Sequence, residues 1–142
     1  MRLLALRLLA ALLAMGLATA ALAQDPRTIA VQSAARAWLA FIDSGDARGA
    51  WNAAGKKFQS ALTAELWATE LGKQQGQDGR PIERTIGPTR FQNKIPGTAE
   101  GEYAQILFRT RFAKKPDGTE SLTLEREADG QWRVIGYFPR TS

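Results

Sequence analysis

The chain has 142 residues, 44% of them hydrophobic, with 19 Lys+Arg against 14 Asp+Glu and neither cysteine nor histidine. That length fits one domain with a sizeable core. The missing residue types close the thiolate and imidazole sites for zinc, copper, haem and iron–sulfur clusters, and with them the Ser-His-Asp and Cys-His nucleophiles. Carboxylate, hydroxyl, amine and tyrosine chemistry stay open, and the fold has to hold without disulfides.

Residues 1–23 read as a secretory leader. Arg2 and Arg7 form a basic head, an apolar run follows from Leu8 to Leu17, and Ala21-Leu22-Ala23 offers small residues for cleavage near Ala23. The apolar stretch from Leu8 to Ala23 is shorter than the ~18 to 20 residues that span a bilayer. The expected product is an exported chain, periplasmic or secreted, comprising a single domain over residues 24–142 with no transmembrane segment. Losing the two leader arginines lowers the net charge from +5 to +3, and Met1 and Met15 leave as well. Lysines and arginines are scattered without a stripe, so no nucleic-acid partner is expected.

Asp25-Pro26 is a helix-start pair, and apolar residues at 31, 34, 35, 38, 39 and 42 predict an amphipathic helix up to Ser44. Gly45 suits the left-handed position that ends it. Asp46 then caps a second, shorter helix bearing Ala50, Trp51, Ala54 and Phe58, which Gly55 weakens. Thr63 and Glu65 open a third helix with Leu66, Trp67 and Leu71 on its apolar side, and the run Gly72 to Gly79 is expected to dissolve it.

After Pro81 the period changes to alternation. A first strand is predicted from Ile82 towards Arg90, a loop over 93–101, and strands near 104–112, 120–127 and 131–138. Phe108, Phe112, Leu122, Leu124, Trp132, Val134 and Phe138 all occupy even positions and are expected to share the core face. Three-residue loops at Pro116-Asp117-Gly118 and Ala128-Asp129-Gly130 preserve that parity. They pair Phe112 with Leu122, Leu124 with Val134 and Arg126 with Trp132, and put Glu125 between Arg109 and Arg133 on the other face. The fold class is α+β: N-terminal helices packed on a curved antiparallel sheet of about four strands.

Ala35-Arg36-Ala37-Trp38-Leu39, Ile42-Asp43-Ser44-Gly45-Asp46 and the spaced Trp51, Ala54 and Phe58 resemble the opening of the bacterial domain of unknown function 4019 family. Thr63 with Trp67, Pro96-Gly97, Gly101-Glu102-Tyr103, Phe112-Ala113-Lys114 and Asp129 to Phe138 continue that resemblance in the family's order. Two positions depart from it: Ala47 stands where Tyr is frequent, and Gln75 near an expected Arg. The resemblance implies a small exported bacterial protein with an architecture similar to the NTF2-like and cystatin-like cone folds. It implies no reaction.

Asp43-Ser44-Gly45-Asp46 sets two carboxylates beside a sharp turn, where an acid/base pair or an oxygen-ligand cation site can sit. Helix termination by Gly45 and capping by Asp46 explain the same residues without a ligand, and that reading is preferred. Trp38, Trp51, Trp67 and Trp132 are expected on core-facing sides, either as plain core or as the lining of a pocket between helices and sheet. Tyr103 at a strand start is either a hydrogen-bond donor in a site or an aromatic with its hydroxyl in water. Neither Ser-x-x-Lys nor a Gly-rich phosphate loop occurs.

These readings make Trp38, Asp43, Asp46, Trp51, Tyr103 and Trp132 the candidate ligand-binding residues, with no catalytic residue, metal or cofactor assigned. The leading function is a non-enzymatic exported module that binds a small apolar ligand or an envelope protein, through the helix–sheet cleft or an exposed sheet face. One alternative is a cone-fold isomerase or dehydratase with Asp43 or Asp46 as general base and Tyr103 as donor. Another is a structural or homo-oligomerising module.

Overall fold

Four helices precede four strands in the computed structural model, which describes residues 25–142. The leader and its cleavage point lie outside the described residues. Helix α1 (Arg27–Asp43) starts where the Asp25 carboxylate accepts the Arg27 backbone N–H at 3.0 Å. Its buried stripe, Val31, Ala35, Trp38, Leu39 and Ile42, follows the helical period and faces the sheet. Gly45 at φ 70° turns the chain, and Asp46 Oδ1 accepts the Gly49 N–H at 2.8 Å to start α2 (Ala47–Ala53).

The expected second helix is two helices. Ala54 and Gly55 are extended, with ψ of 163° and 164°, and α3 (Lys56–Ala61) follows. The break is tertiary in origin: the Gly55 N–H donates to the Val134 carbonyl at 2.8 Å, and the Glu127 carboxylate accepts the first N–H of α3, from Lys56, at 2.9 Å. The third expected helix begins at its Thr63 cap but, against expectation, runs on through the glycines as α4 (Ala64–Asp78). Gln75 Nε2 docks on the Ile42 carbonyl of α1 at 3.0 Å, and Asp78 accepts from Thr141 Oγ1 at 3.0 Å. These bonds at the last turn outweigh a glycine cost of about 1 kcal/mol each.

Strands β1 (Pro81–Gln92), β2 (Tyr103–Phe112), β3 (Gly118–Arg126) and β4 (Trp132–Thr141) form an antiparallel meander in chain order. Helices cover the face carrying Ile106, Phe108, Leu122, Leu124, Val134 and Tyr137. Between β3 and β4 the expected pairs form: Leu124 with Val134, Arg126 with Trp132, and Glu125 with Arg133. Between β2 and β3 the register is corrected by six residues, with Ile106 and not Phe112 opposite Leu122. The tight turn expected at 116–118 does not form because Ala113 and Lys114 are drawn away from β3, donating their N–H groups to the Arg80 and Asp78 carbonyls at 3.0 and 2.9 Å. An even shift keeps every side chain of β2 on its predicted face.

A bulge next to Thr123 has the opposite effect. Leu124 faces Val134 but Thr123 faces Gly136, so Ile135 is the extra residue and parity reverses beyond it. Tyr137 therefore enters the core and Phe138, expected inside, is 56% exposed on the other face.

Candidate functional site

Trp38, Trp67, Phe58 and Tyr137 fill the space between helices and sheet, with ring centroids 5.0–6.2 Å apart. Three indole N–H groups go to helix carbonyls: Trp38 to Ala50 at 2.9 Å, Trp51 to Leu62 at 2.8 Å and Trp67 to Ala47 at 3.0 Å. Gln59 adds a bond to the Trp51 carbonyl at 2.9 Å. Ala50, Trp51 and Leu62 lie at the C-terminal ends of helices of seven and six residues, where carbonyls lack intrahelical partners, and the side chains of Trp38, Gln59 and Trp51 supply the donors. Trp132 stands apart from this cluster, half-buried and edge-on to Phe91 at 6.0 Å.

The remaining predicted residues lie apart. Asp46 is the exposed cap of α2. Tyr103 is 1% exposed, and its hydroxyl donates to the Ala99 carbonyl at 2.8 Å, so the expected water contact is not made. Asp43, at the end of α1, is bound to Arg84 at 2.7 Å with 44% of its side chain exposed. Neither Asp43 nor Asp46 points into a closed apolar pocket. Among the described residues, no three acidic side chains gather as a metal-ligand set.

Arg84 leads to the buried group that sequence reasoning missed. Glu120 is fully buried, with Oε1 accepting from Arg84 Nε at 2.5 Å and from Thr110 Oγ1 at 2.6 Å. Its Oε2 accepts from Arg84 Nη2 at 3.1 Å and from the Tyr137 hydroxyl at 2.5 Å. Burial, followed by the adjacent Glu120 charge, pushes the Tyr137 hydroxyl far above the ordinary tyrosine value. For Arg84, burial opposes the charge, but the bonds to Asp43 and Glu120 outweigh it and hold the guanidinium charged. The signal was present in the sequence: Arg84, Thr110 and Glu120 sit at even positions, the same parity as the apolar core face.

A hollow of about 320 Å³ between α1 and β1 exposes the edge of this network and is lined by Arg36, Leu39, Asp43, Ile82, Arg84 and Phe108. A larger one, of about 550 Å³, lies on the sheet face turned away from the helices and is lined by Thr85, Arg109, Arg111, Thr119, Arg140 and Ser142, among others. Thr85, Arg109, Thr119 and Arg140 are direct neighbours across β1, β2, β3 and β4. The expected ladder of Arg109, Glu125 and Arg133 does not form. Glu125 lies between Tyr103 and Arg133 and pairs with Lys57, which leaves Arg109 beside threonines. The adjacent row on this face, Leu107, Ser121 and Phe138, exposes two large apolar side chains. No tryptophan lines either hollow.

Residues 34–137 match the model of the family described as Protein of unknown function (DUF4019). The chain belongs to this family. Among solved structures it is similar to a protein from Catenulispora acidiphila, at 13% identity and a TM-score of 0.54, over 80% of this chain and 90% of that one. A structure from the same organism in complex with S-DNPA gives 14% identity and 0.55, over 83% and 95%. ActVI-ORFA from Streptomyces coelicolor gives 18% and 0.47, over 81% and 96%. The fold of this DUF4019 member is the NTF2-like cone, helices first and a four-stranded antiparallel sheet after. No curated protein sequence matches the chain.

Proposed function

We propose that the chain is an exported, non-enzymatic binding module that recognises its ligand on the helix-free face of the sheet. The observation that carries this reading is the contrast between the two sides of the sheet. On the inner side Glu120, Tyr137, Arg84 and three indole N–H groups all have partners within the fold, and aromatic rings fill the space an apolar ligand would need. An isomerase or dehydratase needs a free carboxylate and a donor facing one cavity. Asp43 borders the hollow between α1 and β1 but is paired there with Arg84, while Asp46 caps α2 and the Tyr103 hydroxyl donates to the Ala99 carbonyl, away from that hollow.

On the outer side, Leu107 is 40% and Phe138 56% exposed, beside arginines that line an open hollow. Large exposed apolar side chains rimmed by polar residues mark interaction surfaces. A protein of the same fold held in complex with S-DNPA adds support for a small-molecule ligand.

The test is native mass spectrometry of the protein purified from its own cell envelope, beside a Leu107→Ser/Phe138→Ser variant. The expected result is a bound mass on the parent protein that the variant loses while keeping its melting temperature. An adduct retained by the variant overturns the outer face as the site. Export is checked in the same preparation by N-terminal sequencing, with Gln24 expected first.

A further inference from the structure

We propose that Arg109 and Arg140 form a seat for a phosphate-type oxyanion, and that Leu107 and Phe138 take an apolar tail attached to it. The inference rests on the outer sheet face being the recognition surface and narrows it to a ligand class.

Arg109 and Arg140 flank Thr119 in one cross-strand row, with Thr85 at its far end. Neighbouring strands are about 4.8 Å apart, so the two arginine backbones stand about 10 Å apart, a span across which two guanidinium forks converge on one tetrahedral anion. The threonine hydroxyls of the same row can donate to it. Among the described residues neither arginine forms an ion pair, whereas Arg111 in the same hollow is held by Glu83 at 3.3 Å. Asp117 and Ser142 also line the hollow, and among the described residues no ion pair joins the Asp117 carboxylate to Arg109 or Arg140.

Leu107, Ser121 and Phe138 make up the next row on the same face, two residues along each strand or about 7 Å away. An anionic head on the arginine row thus places a short alkyl tail over Leu107 and Phe138. The register supplies this head-and-tail spacing. A phosphate monoester of a small amphiphile and a phospholipid headgroup share that chemistry.

Isothermal titration of the folded protein with inorganic phosphate and with octyl phosphate tests the seat, alongside flotation with phosphatidylglycerol vesicles. Octyl phosphate is expected to bind more tightly than inorganic phosphate. Arg109→Gln and Arg140→Gln are each expected to weaken it about tenfold, the size of one charge-assisted hydrogen bond. Asp117→Asn is expected to strengthen it, and Arg90→Gln, exposed on the same face outside the hollow, to leave it unchanged. Vesicle binding that the same two arginine variants abolish supports the seat and assigns its anion to a lipid headgroup.

No binding by any of the three probes overturns the oxyanion seat. So does binding that the arginine variants leave intact. If the probes fail while Leu107→Ser/Phe138→Ser still strips the native adduct, only the oxyanion assignment falls and the outer-face reading stands. All these positions are exposed or lie at the sheet surface, so melting temperatures of the variants are expected to match the parent.

Discussion

Arg84 Nε on β1 donates to Glu120 Oε1 on β3 at 2.5 Å, which ties two strands that are not neighbours across the core side of β2. Thr110, on the intervening strand, donates to the same oxygen. Sheet order, and not only sheet pairing, is therefore written into a buried polar group. Removing one partner of such a pair leaves a desolvated charge behind and costs about 3–5 kcal/mol. Arg84→Met and Glu120→Leu are each expected to lower the unfolding free energy by that amount in urea titrations. The triple change Arg84→Met, Glu120→Leu, Tyr137→Phe should lose less than either single change, because it removes the charges and a hydroxyl together.

Tyr137 extends this network to alkaline pH. Its folded-state value lies far above the ordinary 10.0, first through burial and then through the negative charge of Glu120. Below pH 10 both folded and unfolded forms hold the proton, and the contribution to stability is complete. Above pH 10 the unfolded chain releases a proton that the folded chain keeps, so stability falls by up to about 1.4 kcal/mol per pH unit. Unfolding curves between pH 9 and 11.5 should show that slope in the parent and a shallower one in Tyr137→Phe. Equal slopes would separate Tyr137 from the alkaline limb.

Local chemistry was legible wherever it acted over a few residues. Asp25, Gly45, Asp46 and Thr63 mark helix ends as their residue types predict, and Leu124 meets Val134 across a three-residue loop. What escaped was set by distant partners. Gly55 breaks a helix because its N–H is needed by β4, and α4 survives two glycines because Gln75 and Asp78 are anchored elsewhere. A bulge at Ile135 has no sequence signal of its own, and it decides that Tyr137 and not Phe138 meets Glu120. The candidate site shifted with it, from a tryptophan-lined cleft to the arginine row that a six-residue change of register assembled.

The tryptophans divide into two energetic classes. Trp38 is 3% exposed, caps the Ala50 carbonyl and packs on Phe58, Trp67 and Tyr137. Trp38→Phe strands that carbonyl, at about 1–3 kcal/mol, and adds the loss of ring packing. Trp132 is half-buried, and its indole N–H has no partner among the described residues. Trp132→Phe keeps the edge contact with Phe91 and should cost under about 1 kcal/mol. Chemical denaturation of the two variants side by side checks the difference, which inverts if Trp132 is the structural anchor.

Glycines on α4 and at its end should respond to alanine with opposite signs. At Gly72 and Gly76 nothing lies within 4 Å of an added Cβ, and both are interior to the helix. Alanine there removes unfolded-state freedom without a clash, so each change should raise stability by about 0.4–1 kcal/mol. Gly79 ends the helix at φ 81°, and a Cβ would sit 2.7 Å from Ala113 Cβ and 2.8 Å from the Lys114 backbone nitrogen. That nitrogen donates to the Asp78 carbonyl, so a clash there strains the corner that holds the β2–β3 register. Gly79→Ala should therefore destabilise by more than Gly72→Ala and Gly76→Ala gain together. Thermal melts of the single variants and of the Gly72→Ala/Gly76→Ala pair measure it; a stabilised Gly79→Ala would mean that α4 is not anchored at this corner.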